Sequence, residues 1–193
     1  PLPTHLLYLH GFRSSPQSFK AQRLASWVKD HAPHMHWWCP QLPPSPREAM
    51  AMVQQGTADW PTARMAVIGS SLGGYYATAL AESRGCKAML LNPAIDPARD
   101  LGAYVGEQTM FHHPEQTFQV RPDYMDELRA LRVPAITRPE RYSAIIAKGD
   151  EVLSWHEMSA HYPGARVLLL EGSDHSITDF DTHLPFLLEF LKS

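Results

Sequence analysis

The stretch of the chain best equipped for chemistry is Gly69-Ser70-Ser71-Leu72-Gly73, a G-x-S-x-G pattern centred on Ser71. In such a pattern the serine rides a sharp turn from a strand into a helix, its hydroxyl held out above the sheet. The turn crowds the backbone, so small residues flank the nucleophile. A helix starting at Leu72 aims its free N–H groups and the positive end of its dipole at the point where an oxyanion develops. A serine hydroxyl is a weak nucleophile at neutral pH and needs a base within hydrogen-bond reach. His175, in GSDH (residues 172–175), is the candidate base, and Asp150, in KGDEV (residues 148–152), is the candidate acid. Each lies just past a strand-like run, where an open α/β sheet places its working groups. A carboxylate there fixes the imidazole tautomer and stabilises imidazolium as it forms. The chain order Ser, Asp, His is the one that accompanies this elbow. The rivals are Ser70 as nucleophile, Asp96, Glu151 or Asp174 as acid, and His183 as base.

A fourth element is LYLHGF (residues 7–12). A strand ending in His-Gly presents a backbone N–H near the nucleophile, so the amides of Phe12 and Leu72 form the expected oxyanion hole. His10 itself reads as a buried histidine bonded to backbone rather than as a base. A metal centre is the competing chemistry, since His31, His34 and His36 form an H-x-x-H-x-H cluster and His112-His113 adds a pair. Pro33 breaks any helix that would align His31 with His34, and no carboxylate lies inside the cluster. No metal and no cofactor is therefore expected.

These residues must be positioned by the elements between them. Apolar runs at residues 4–10, 36–39, 64–69, 87–92, 142–148 and 166–171 read as strands. Helix-period segments alternate with them at residues 18–31, 47–55, 72–83 and 155–161, with a closing helix at 183–191. In the first helix Ala21, Leu24, Trp27 and Val28 share one face, and Lys20, Arg23 and Lys29 are expected outward. Pro185 is tolerable only if it falls in the first turn of the last helix. Strands alternating with helices imply βαβ units in a mostly parallel sheet of about six strands, with helices on both faces. Residues 96–140 break the rhythm with five prolines, and only residues 124–131 look helical there. Such an excursion reads as a lid or binding loop, and its Tyr104, Phe111 and Phe118 are candidates for an apolar acyl pocket.

The 193 residues suit a single domain, with 44% hydrophobic and 19% charged residues. A net charge of −3 with scattered basic residues gives no footprint for nucleic acid. Residues 1–5 show no basic segment leading into a long apolar stretch, and the run at residues 6–9 is far too short to span a bilayer. Cys39 and Cys86 are expected to be free thiols in a reducing, cytoplasmic setting. Neither a membrane nor a nucleic-acid partner is expected, and the sequence leaves the oligomeric state open.

Several blocks together, YLHGFRSSPQSFKAQ, PQLPPSP, VIGSSLGGYYAT, LNPA, KGDEVLS and GSDHSITDF, resemble the YqiA-type esterases, small members of the α/β-hydrolase superfamily. The resemblance runs from Tyr8 to about Phe180 and weakens across residues 96–140. It implies a compact α/β-hydrolase fold without the first strands of larger relatives. It also implies cleavage of short acyl esters or thioesters, with Ser71, Asp150 and His175 in the catalytic positions. The family tends to follow GDEVL with a further acid, where this chain has Ser154. A peptidase or acyltransferase shares the same elbow, and a binding protein on the same scaffold is the non-enzymatic alternative.

Overall fold

Successive strand residues feed two separate apolar layers, as a parallel sheet covered on both faces requires. In chain order the computed structural model, which describes residues 1–193, contains β1 (His5–Leu9), α1 (Phe19–His31), β2 (His36–Trp38), α2 (Pro46–Gly56), β3 (Met65–Ser70), α3 (Leu72–Arg84), β4 (Lys87–Leu91), α4 (Pro97–Leu101), β5 (Gly106–Thr109), β6 (Thr117–Val120), α5 (Asp123–Ala130), β7 (Tyr142–Ala147), α6 (Trp155–His161), β8 (Arg166–Leu170) and α7 (Phe180–Lys192). Six strands form one parallel sheet in the order β2-β1-β3-β4-β7-β8. Leu7, Leu9, Val67, Leu90 and Ile146 face one layer with residues of α2, α3 and α6. Leu6, Tyr8, Ile68, Met89 and Ile145 face the other, against α1 and α7. The sheet order reverses direction between β1 and β3, and the loops leaving those two strands flank the crevice where open α/β sheets bind ligands.

Local signals explain most boundaries. Ser45 caps α2 by accepting from the Glu48 N–H, with Pro46 as the first helical residue. Gly85 ends α3 in the left-handed conformation at φ 79°. No helix is long and apolar enough to cross a membrane.

Three expectations need correction. Lys20 is buried rather than outward, because positions 20, 24 and 28 form one i, i+4 stripe and the lysine shares it with Leu24 and Val28. α7 begins at Phe180, which is fully buried and anchors its first turn, so Pro185 falls in the second turn inside the helix. Residues 96–140 hold more than one helix: besides α5 they form α4 and an antiparallel hairpin, β5–β6. The first hairpin strand (GEQT) carries no apolar residue, and the second (TFQV) alternates for only four residues with Val120 alone buried, the shortest run in which such a pattern can be recognised.

Candidate active site

Ser71 sits between the end of β3 and the start of α3 with φ 55° and ψ −118°, outside the regions an L-residue favours. The strand and helix meet so closely that a Cβ on Gly69 would lie 2.2 Å from the Gly73 carbonyl oxygen. One on Gly73 would lie 2.0 Å from the Leu9 carbonyl oxygen of β1. Only glycine fits at either position. The turn is pinned by the Ser71 N–H donating to the Leu91 carbonyl at 3.0 Å and the Ala94 N–H donating to the Ser71 carbonyl at 2.9 Å.

Asp150 and His175 leave the carboxyl ends of β7 and β8 and reach this serine. The Nδ1–H of His175 donates to Asp150 Oδ2 at 2.6 Å, which leaves Nε2 to accept from the Ser71 hydroxyl at 3.0 Å. The Asp150 side chain is wholly buried. Its Oδ1 accepts from the Val152 and Leu153 N–H groups, both at 2.7 Å. These bonds satisfy the buried carboxylate, as burial of a charge demands.

The rival groups lie elsewhere. Ser70 is the buried end of β3. Asp96 caps α4 and pairs with Arg99. Asp174 accepts from Thr178, and His183 pairs with Asp179 at 2.7 Å. Glu151 accepts from the backbone N–H of His175 at 3.1 Å rather than from its ring. Ser154, where the family pattern has an acid, caps α6.

The amides of Phe12 and Leu72 have no backbone partner, and a Cβ on Gly11 would come within 3.3 Å of Ser71 Cβ. That close approach seats the loop after β1 against the serine. His10 holds this loop from below: its Nδ1 is 2.8 Å from the Gly11 carbonyl, while Nε2 accepts from the Leu42 N–H at 2.9 Å. The accepting Nε2 fixes the proton on Nδ1, and burial holds the ring's pKa below its ordinary value.

A cavity of about 840 Å³ opens over Ser71 and His175, within the usual range for ligand pockets. Tyr104 and Phe111 line it, together with Leu101 and Leu153. Phe118 lines a neighbouring cavity of about 340 Å³ instead, and Phe12 stands between, edge-on to both Tyr104 and Phe118. Arg13 ties the hairpin to this wall, donating to the Thr109 carbonyl and hydroxyl and stacking over Phe111.

No group of three or more His, Cys, Asp or Glu side chains is placed to hold a metal ion. His31 stacks on Trp27 and His36 on His5, while His112 and His113 approach Ser15 and Gln17 separately. Cys39 and Cys86 are unpaired, and burial pushes their thiols up to about 12 and about 11.

The chain matches the model of an uncharacterised protein family, UPF0227, over residues 5–192. It belongs to that family. UPF0227 is the YqiA-like group that the HGFRSSPQSFK block resembles. Among solved structures, a putative hydrolase from Agrobacterium vitis S4 superposes with a TM-score of 0.76 at 16% identity, covering 99% of this chain and 91% of that one. Alpha/beta hydrolase domain-containing protein 10 from mouse gives 0.71 at 16%, covering 97% and 90%. A monoacylglycerol lipase from Paleococcus ferrophilus gives 0.71 at 12%, covering 99% and 96%. These likenesses establish an α/β-hydrolase fold for this UPF0227 member.

Sequence reasoning missed two residues of the site. Asn92 follows β4 at φ 43°, is fully buried, and bonds to the loop that carries His175. Its signal was present in LNPA, since Asn is the non-glycine residue that best tolerates left-handed backbone. Lys20 lines the Ser71 cavity and donates to the Ser176 carbonyl at 2.6 Å. Burial pushes its ammonium down to about 8, with the Asp174 carboxylate opposing.

Proposed function

We propose that this chain is a serine hydrolase that cleaves carboxylic esters, with short acyl esters or thioesters as its substrate class. The observation that carries the proposal is the continuous relay from Ser71 Oγ through the His175 ring to the buried Asp150 carboxylate, at 3.0 and 2.6 Å. Ser71 attacks the substrate carbonyl while His175 Nε2 takes the hydroxyl proton, and Asp150 holds the ring and stabilises its charged form. The carbonyl oxygen becomes an oxyanion that accepts from the Phe12 and Leu72 amides. As this tetrahedral species collapses, His175 returns the proton to the leaving alcohol or thiol, and Ser71 is left acylated. Water, deprotonated by the same ring, attacks the acyl-enzyme and releases the acid.

The fold shared with hydrolases and a lipase supports this assignment, as does the apolar wall of Leu101, Tyr104 and Phe111 beside the serine. The two unpaired cysteines support a reducing, cytoplasmic setting. The test is labelling with a fluorophosphonate probe alongside turnover of graded nitrophenyl esters and acyl-CoAs. Wild type should label at Ser71 and turn over short acyl esters or thioesters; Ser71→Ala should do neither. Labelling or normal turnover in Ser71→Ala would overturn the assignment.

A further inference from the structure

The segment bearing His175 has an unusual number of its backbone groups held by distant side chains. Asn92 Nδ2 donates to the carbonyls of both Asp174 and His175, each at 3.0 Å. Lys20 Nζ donates to the next carbonyl, Ser176, at 2.6 Å. Three successive carbonyls are thus captured by two buried side chains, while Glu151 accepts from the N–H of His175 itself.

Asn92 is in turn fixed at its other end. Its Oδ1 accepts from the Ala147 N–H of β7 at 2.8 Å, and its own N–H donates to the Ile145 carbonyl at 3.0 Å. The amide thereby links the end of β4, the end of β7, next to Asp150, and the loop after β8. Residues 171–179 lie between β8 and α7. Their backbone bonds are a turn from the Ile177 N–H to the Asp174 carbonyl and bonds near the two ends, where the Gly172 and Asp179 carbonyls accept from Gly149 and Thr182. Ser173 and Ile177, on either side of His175, have φ of 64° and 50°. A loop with two residues in left-handed conformation keeps that shape only if its surroundings hold it there.

We propose that Asn92 and Lys20 are positioning residues that set the His175 ring between Ser71 and Asp150 by gripping its backbone. The inference rests on the assignment of His175 as general base and adds how its place is held. Neither side chain hydrogen-bonds the ring. Their effect is on the Nε2–Oγ and Nδ1–Oδ2 distances, and a displacement of about 1 Å in such a site costs on the order of 100-fold in rate.

Two variants separate positioning from general support. Asn92→Gly keeps the backbone at φ 43° accessible and removes the whole amide. Lys20→Met keeps the aliphatic stem and removes the donor to Ser176. With p-nitrophenyl acetate, kcat should fall about 10- to 100-fold in Asn92→Gly and less in Lys20→Met, with KM within about twofold of wild type. The far-downfield proton resonance of the His175 Nδ1–H···Asp150 bond should shift or broaden in each, since it reports ring placement directly. Wild-type kcat in the folded variants, or a lowered kcat with an unmoved resonance, overturns the proposal. Should Asn92→Gly fail to fold, Lys20→Met decides by the same readouts. His175→Ala, assayed in parallel, keeps the two conclusions apart. Retained activity there removes the general base itself, whereas an inactive His175→Ala beside wild-type Asn92→Gly and Lys20→Met removes only the grip.

Discussion

The backbone at Ser71 should be releasable by glycine, and the release should be measurable as stability. With φ 55° and ψ −118° the residue occupies a conformation that costs roughly 1–3 kcal/mol for an L-residue. Glycine adopts it freely, although its looser unfolded chain gives back about 0.4–1 kcal/mol. Ser71→Ala is the matched control, because it keeps the Cβ and therefore the strain while losing the same hydroxyl. Ser71 makes no capping hydrogen bond to α3, so neither variant forfeits one. The two thus differ mainly in backbone strain, and Ser71→Gly should be the more stable by about 1 kcal/mol. For a chain of this size that corresponds to a Tm about 2–4 °C higher. Both variants should be inactive. Paired thermal and urea unfolding curves provide the assay, and a Ser71→Gly protein no more stable than Ser71→Ala would refute a strained nucleophile.

Two further outcomes follow from the relay and from the buried lysine. Asp150→Asn should preserve the fold yet reduce kcat by about 10⁴, because an amide able to donate favours the wrong tautomer of His175; steady-state kinetics showing less than a tenfold loss would sink the role given to Asp150. Lys20→Met should gain stability at neutral pH. The folded ammonium loses its proton at about 8 against an ordinary 10.5, so below pH 8 burial of the charge costs roughly 3 kcal/mol. Across the window from about 8 to 10.5 the unfolded chain still holds the proton that the folded chain has released, and this penalty fades as pH rises. After subtracting about 1 kcal/mol for the lost bond to Ser176, Lys20→Met should exceed wild type by about 1–2 kcal/mol at pH 7. The advantage should be gone by pH 10.5. Urea unfolding of both proteins at several pH values checks it, and a less stable variant at pH 7 would contradict the assignment.

What could be read from the sequence was whatever had a local cause. The elbow announces itself because steric crowding at Gly69 and Gly73 leaves glycine as the only choice. Asp150 and His175 could be singled out as candidates because strand ends are marked by the loss of apolar residues and are where open α/β sheets bind ligands, and the structure brings both to Ser71. The oxyanion-hole candidates followed from the same logic at Phe12 and Leu72. Lys20 was misjudged because its residue type says solvent while its helical phase says core, and the phase prevailed. The β5–β6 hairpin was overlooked because GEQT carries no apolar residue and the alternation of TFQV lasts only four residues. Phe118 was grouped with Tyr104 and Phe111 by composition alone; the hairpin carries it to the far side of Phe12. Asn92 acts on residues more than 80 positions away, a relation that no window of sequence contains.

The site is therefore built in two different ways on its two sides. On the Ser71 side the geometry is imposed by hard contacts: strand, helix and the loop after β1 approach so closely that a single methyl group has nowhere to go. On the His175 side the loop has no regular structure, and its geometry is held by hydrogen bonds that Asn92 and Lys20 donate to its carbonyls and that Glu151 accepts from the His175 N–H. The five non-glycine residues with positive φ, Arg13, Ser71, Asn92, Ser173 and Ile177, all lie on loops leaving the carboxyl edge of the sheet, so the backbone strain of the fold is gathered around this one constellation. The two constructions should fail differently. A methyl group added at Gly69 or Gly73 must push whole elements apart and strikes stability first. Loss of the tether at Lys20 leaves the sheet and both core layers intact and shows itself as a slower reaction, whereas loss of Asn92 also leaves the buried Ala147 N–H of β7 without its acceptor and adds a cost in stability.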